Sequence, residues 1–413
     1  MTTAASAGAG YGYALIWALI FSTIACYVLQ EASARITAVS GMNLGEAMRQ
    51  EYGGSNMGKI LIYLALVAVL TGCAAYEAGN VLGAVAGIHL VRDTLSIPLV
   101  VFMIGLISAI LLWRRTVQQI AILLGFVVAF MGICFLITVW YIPHNLMEIL
   151  SGGFLPRIPS GSEILVLGLI GTTVVPYGIF LGSGLKHNQT VAEMKFSLMI
   201  AIGLGGVISI AILLTGTAIM GEFTFIALAD TLSNQLGAGA DWLLGFGLFG
   251  AGLSSTLTAA LAGSITAKSL LASDREHPKW SENGIYFRSV WMTVLGIGLL
   301  FGLLGFRPVP IIILAQALNG VILPIIAIIL FLLMNNDRVL SQNHQNGLFY
   351  NLVTSIVVYL TVLIGLTNLF RSISGFLDLE VLSQKNIVIL SILIYMIVLI
   401  PIGKVLMNRI QLR

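Results

Sequence analysis

The chain reads as a series of long apolar runs separated by short polar connections. A helix needs about 20 consecutive apolar residues to cross the hydrocarbon of a bilayer. Eleven segments meet or approach that length: Tyr13–Ser33, Met57–Gly87, Ile97–Trp113, Val117–Ile142, Glu163–Leu185, Phe196–Met220, Asp241–Leu271, Val290–Gly305, Pro308–Met334, Leu348–Leu369 and Asn386–Leu406. No connection is long enough for a soluble domain. The longest, Pro143–Gly161 and Gly221–Ala240, read as ordinary loops.

Composition agrees with the pattern. Of 413 residues, 58% are hydrophobic and 9% charged, with a mean hydropathy of +1.01. Soluble domains carry roughly 25% charged residues, so the expected fold class is an all-α polytopic membrane protein. Met1–Gly12 lacks the basic start of a signal peptide, and many apolar runs follow the first. The formal charge of +3 gives no reason to expect nucleic acid as a partner. Cys26, Cys73 and Cys134 lie in apolar runs at unrelated spacings, which is neither a disulfide framework nor a metal cluster. Nothing in the chain looks like a nucleophile–base pair or a nucleotide loop, so no enzyme activity and no cofactor are expected.

Basic residues set an orientation. With Lys404, Arg409 and Arg413 placed inside and the spans alternating backwards, 15 of the 20 Lys and Arg residues fall on the inner side, leaving Arg92, Arg157, Arg307, Arg371 and Lys385 outside. Such a bias is the positive-inside signature, and it puts the C-terminus in the cytoplasm. Eleven spans then place Met1 outside. The small, polar lead Met1–Gly12 resembles the end of a helix, so the expectation is a bundle whose first span is missing.

The stretch Ile170–Gly184 interrupts its span. Pro176 removes a backbone donor and clashes with the preceding turn, and Gly178 adds backbone freedom beside it. In lipid such a break is tolerated only where protein or a polar cavity surrounds it, and broken helices near the midplane form substrate sites in many transporters. An ordinary proline kink is the alternative. Two acids lie inside the apolar runs. Glu31 precedes Arg35 by one helical turn and reads as an i,i+4 pair near the inner interface. Glu77 lies deeper, with Asn80 three residues on. Intramembrane acids are costly and point to function; a structural hydrogen bond is the plainer reading. Small and hydroxyl residues over Gly250–Gly263 read as close helix packing. Gln316 and Asn319 share a face ahead of Pro324, suited to coordinate a hard cation through oxygen or to bridge helices.

Several motifs in order resemble the Nramp (natural-resistance-associated macrophage protein) divalent-metal transporters. Tyr11–Arg49 carries G-Y-x-L-[IL]-W, L-Q-x-x-x-A-R-I and S-G-x-N-L-x-E-A-M-R, similar to that family's second helix and the following loop. G-x-S-S-T-x-T-x-x-L-A-G resembles its eighth helix and Q-x-L-N-G-x-x-L-P its tenth. The resemblance spans Ala7 to about Asp337. It implies a leucine-transporter-type inverted-repeat helical bundle with alternating access. On that frame residues 13–142 are the remainder of the first repeat, 163–334 the second, and 348–406 two additional helices, all in one transporter domain.

Departures from the family bear on selectivity. Its first-helix Asp-Pro-Gly-Asn metal motif would end just before Met1. In the sixth helix its metal-binding methionine falls on Val175 and its asparagine on Gly178, while two histidines fall on Tyr177 and Gly182. The third-helix acidic pair falls on Glu77 and Asn80, which keeps one acid. Thioethers favour soft transition-type metals, so Val175 removes a preference for manganese or iron over magnesium or calcium. The resemblance implies a secondary transporter of divalent cations (manganese, magnesium or iron class) in the inner (plasma) membrane. Its candidate substrate residues are Thr172 through its carbonyl, Val175, Tyr177, Gln316 and Asn319; Glu77 and Asn80 are the candidate ion or proton pathway, with protons as a candidate coupling ion. The alternatives are a carrier of organic, amino acid-like solutes on the same fold and a truncated, non-transporting relative.

Overall fold

The computed structural model describes residues 1–114, 117–184, 190–237, 239–272 and 278–377, with isolated positions beyond. Among the described residues all regular structure is helical: α1 (Thr2–Tyr11), α2 (Ile16–Ser40), α3 (Leu44–Tyr52), α4 (Asn56–Val91), α5 (Ile97–Arg114), α6 (Val117–Tyr141), α7 (Leu146–Phe154), α8 (Glu163–Thr173), α9 (Pro176–Gly184), α10 (Val191–Gly216), α11 (Phe225–Leu236), α12 (Ala240–Leu271), α13 (Ile285–Leu303), α14 (Pro308–Leu333) and α15 (Leu348–Leu377). A helix satisfies its backbone within itself, which is what hydrocarbon demands. Among the described residues ten segments are long and apolar enough to cross a membrane, α8 and α9 together forming one of them. The eleventh expected span, Asn386–Leu406, falls almost wholly outside the described residues.

Two expectations change and one gains detail. Met1–Gly12, read as the end of a helix, is helical: α1 is largely buried and packs on α10, where Gly8 faces the Leu213 backbone and Gly216 faces Ala5. The expected first span shifts inward along the chain, since α2 begins at Ile16 and continues through the polar turn to Ser40. The two long connections contain α7 and α11, helices of 9 and 12 residues. Gly152 of α7 packs against the Tyr13 backbone, and Asn145 and Thr224 cap the starts of α7 and α11.

Two long helices form the spine. α4 and α12 lie against each other over much of their length, and small residues permit it. A Cβ at Gly87 would come within 2.5 Å of the Gly245 carbonyl, and one at Gly252 within 2.7 Å of the Asn80 carbonyl. Gly250–Gly263 therefore serves close packing, without hydrogen-bond partners for the Thr256 hydroxyl. Small faces bring backbones together where lipid offers no hydrophobic gain for association. Pro324 stands inside α14, and Gly365 of α15 packs against its ring.

The S-G-x-N-L-x-E-A-M-R motif is structural. Asn43 accepts from the Glu46 backbone at 2.9 Å while Glu46 accepts from the Asn43 backbone at 2.9 Å, a reciprocal capping box that starts α3. Arg49 donates to the Ala272 carbonyl at the end of α12. Gly45 lets α3 lie directly on Ser269.

Candidate functional site

The span containing α8 and α9 breaks at Val174 and Val175, where the sequence places Pro176. Val174 still donates to the Ile170 carbonyl at 2.9 Å, and Gly178 donates to the Val175 carbonyl at 2.9 Å. Between these bonds the ladder is interrupted. The helical donor for the Thr172 carbonyl would be the N–H of residue 176, which proline lacks. Thr172, Thr173, Val175 and Gly178 are half-buried here, whereas Pro176 and Tyr177 are buried.

Three other helices hold the break. From α4, the Tyr76 hydroxyl donates to the Gly171 carbonyl at 3.0 Å. The Tyr76 ring also meets Tyr177 edge to face, with centroids 5.6 Å apart and planes at 84°, so one side chain grips the end of α8 and the start of α9. From α14, the backbone at Gln316 and Gly320 rests on Gly171. From α1, the Thr3 hydroxyl donates to the Gln316 side-chain oxygen. Gln316 is half-buried and faces α1.

Asn319 goes elsewhere. It is fully buried, donating to the Ala315 carbonyl at 3.2 Å and to the Gly72 carbonyl at 3.5 Å, with its own oxygen unpaired against Gly72. Gln316 and Asn319 share a sequence face, yet Gln316 bonds α1 and Asn319 bonds α4. Glu77 is also fully buried; Asn80 is the side chain that interacts with its carboxylate, without a close hydrogen bond, and Gly298 of α13 lies against it. Asn80 is half-buried beside it, with its amide nitrogen unpaired. An ionised carboxylate in such surroundings is costly.

Glu31 makes the expected pair with Arg35, but inside the protein and with further partners. It is 0% exposed and pairs with Arg35 at 3.1 Å and with Lys195 of α10 at 3.4 Å. Arg35 also donates to the His344 carbonyl at 3.1 Å and to Asn346 at 2.6 Å. The Tyr350 ring lies beneath both cations. This cluster ties α2 to α10, to α15 and to the connection before it. On the same side α9 is fastened: Ser33 donates to the Ile179 carbonyl and Thr37 to the Ser183 carbonyl, each at 2.8 Å, and the Leu44 backbone donates to Ser183 at 3.1 Å. Towards the other membrane face, a cavity of about 980 Å³ opens among α1, α4, α11 and α14, lined in part by Ser6, His89, Asp93, Glu222 and Arg307.

Among the described residues no group of three or more His, Cys, Asp or Glu side chains is placed to hold a metal ion. The donors at the break are oxygens: the Thr172 carbonyl, the hydroxyls of Thr3 and Tyr76, and the amide of Gln316. Sequence reasoning does not single out Thr3 or Tyr76. Thr3 sits in the lead segment, and Tyr76 directly precedes the more conspicuous Glu77.

Comparison with known proteins agrees with this architecture. The profile of the family described as natural resistance-associated macrophage protein-like (Nramp) matches residues 1–371. A divalent metal cation transporter, MntH, of Pectobacterium carotovorum is 24% identical over 387 residues, covering 89% of each chain. MntH of Verminephrobacter eiseniae is 28% identical over 283 residues, covering 64% of this chain and 63% of its own. Among solved structures, a manganese transporter of Eremococcus coleocola, crystallised with an aromatic bis-isothiourea compound, superposes with a TM-score of 0.69 at 19% identity, over 99% of this chain and 90% of the other. A nucleobase-cation-symport-1 family transporter superposes with a TM-score of 0.54 at 15% identity, over 98% and 92%; at these identities the likeness is one of fold. With a family match over most of its length and a broken helix held at the centre of a polytopic bundle, the chain belongs to the Nramp family of divalent metal cation transporters.

Proposed function

We propose that this protein moves a divalent cation of the manganese, magnesium or iron class through the break between α8 and α9 by alternating access, importing it across the inner (plasma) membrane with the C-terminus in the cytoplasm. The observation that carries this reading is the Thr172 carbonyl, deprived of its helical donor by Pro176 at a half-buried position, one residue after the Gly171 on which the Gln316 backbone rests. Carbonyl, hydroxyl and amide oxygens suit a hard, partly hydrated cation. Val175 supplies no sulfur, so the soft-metal preference a thioether would add is absent from this position of the break.

The cavity on the outer side and the fastening of α9 to α2 and α3 on the inner side support an assignment of this conformation as the outward-facing member of the cycle. Glu77, buried against α13, is the candidate proton relay. Asn319, braced on α4, would reach an ion only if α14 shifts relative to α4 during the cycle. Residues 13–142 and 163–334 are read as the two inverted repeats.

Uptake into proteoliposomes tests the proposal, with manganese, magnesium and calcium compared with and without a proton gradient. Saturable uptake of at least one ion, with KM raised in Gln316→Ala, supports it. If no divalent ion moves or competes, the substrate assignment is wrong, and organic solutes are the next candidates.

A further inference from the structure

α9 presents two glycines on one face. Gly178 and Gly182 stand one turn apart, and the side chain facing both comes from α2. A Cβ built at Gly178 would lie 3.7 Å from Gln30 Nε2, and one built at Gly182 would lie 3.9 Å from Gln30 Oε1. The Gln30 amide therefore lies flat along the first two turns of α9, immediately beyond the break, and is half-buried. Its Nε2 is directed towards the Cys26 thiol on its own helix at 3.7 Å. That contact engages the donor end of the amide and leaves the oxygen to face the space over Gly182. The next polar residues along α2, Ser33 and Thr37, are committed to α9 carbonyls. Gln30 thus meets α9 nearer the break than Ser33 and Thr37 do, without a bond to an α9 carbonyl.

We infer that Gln30 is a specificity-determining residue of the transport site, its amide oxygen contacting the divalent cation or its bound water in the slot that Gly178 and Gly182 leave open. This rests on the proposed divalent-cation transport and names a residue on a different helix from those that hold the break. A glutamine is an oxygen donor without charge and without softness, so it assists a hard cation and gives no advantage to a soft one. The glycines are the other half of the arrangement: side chains at 178 and 182 would fill the slot and push the amide away.

The test uses the full chain, purified and in proteoliposomes, with manganese and magnesium as probes. Gln30→Ala is expected to weaken binding of the transported ion about tenfold, the scale of one contact to a charged group. Gln30→Glu, nearly isosteric and negatively charged, is expected to tighten binding. Gly178→Leu is expected to abolish uptake while the protein still elutes as a folded species. Opposite shifts for Ala and Glu would not arise from a packing role. Wild-type affinity in both Gln30 variants, or equal losses in both, overturns the assignment to Gln30 while leaving divalent transport standing. Failure of the wild type to bind either ion removes the transport reading first.

Discussion

Gly171→Ala probes the packing that sets the break. A Cβ at this position would lie 1.9 Å from the Gln316 carbonyl oxygen and 2.7 Å from the Gly320 nitrogen. Both obstacles are backbone, so no side chain can rotate away. Separating α8 from α14 by roughly 1 Å is the minimum that relieves the first clash, and overpacking of this kind costs about 1–3 kcal/mol. A rigid helix–helix contact puts the cost near the top of that range, about 3 kcal/mol. The same displacement draws Gln316 from Thr3 and the Gly171 carbonyl from the Tyr76 hydroxyl. With an unfolding entropy of about 2.1 cal/mol/K per residue, a chain of this length would lose roughly 3 °C in thermal midpoint.

The comparison variant is Gly178→Ala, whose added Cβ meets nothing closer than 3.7 Å. It is expected to be neutral or slightly stabilising, because alanine favours helix over glycine by up to about 1 kcal/mol. Thermal stability followed by fluorescence-detected size exclusion in detergent distinguishes the two. Equal midpoints for Gly171→Ala and Gly178→Ala would refute the argument that the α8–α14 approach depends on the missing side chain.

Two further outcomes follow from opposite ends of the bundle. Glu31→Ala leaves Arg35 and Lys195 without their shared carboxylate; breaking a buried pair costs about 3–5 kcal/mol. The low end is expected, since Arg35 keeps its bonds to His344 and Asn346, and denaturation of Glu31→Ala against wild type measures it. His144, in the connection before α7, is held below its ordinary 6.5 by burial, and its Nδ1 lies 3.0 Å from the Tyr13 hydroxyl. A group whose folded state resists protonation contributes fully above its unfolded pKa and loses that contribution as pH falls through and below about 6.5. Thermal stability should therefore fall on acidification across that window, and His144→Gln should flatten this part of the profile; an unchanged profile would exclude His144 as its source.

Features fixed by neighbours in the chain are legible in the sequence itself. Apolar run length sets the ten described spans, because the bilayer imposes it. The break at Pro176 is local too: proline removes the donor of residue 176 whatever surrounds it. Small residues over Gly250–Gly263 announce close packing, though not that α4 is the helix received. Short helices α7 and α11 leave no such mark, because 9 and 12 residues fall below a spanning length.

The site's composition is decided by tertiary structure. Gln316 and Asn319 look equivalent at a spacing of three, yet one bonds Thr3, 313 positions away, and the other Gly72, 247 positions away. Which residue meets the break depends on how helices remote in sequence are placed around it. Glu31 and Arg35 are visible as a pair from their spacing of four. Their burial requires Lys195 and Tyr350 to arrive from α10 and α15. Gln30 sits unremarked in the L-Q-x-x-x-A-R-I motif, and it gains meaning only when α9 turns Gly178 and Gly182 towards it. Sequence determines what a helix can offer; packing determines which neighbour receives it.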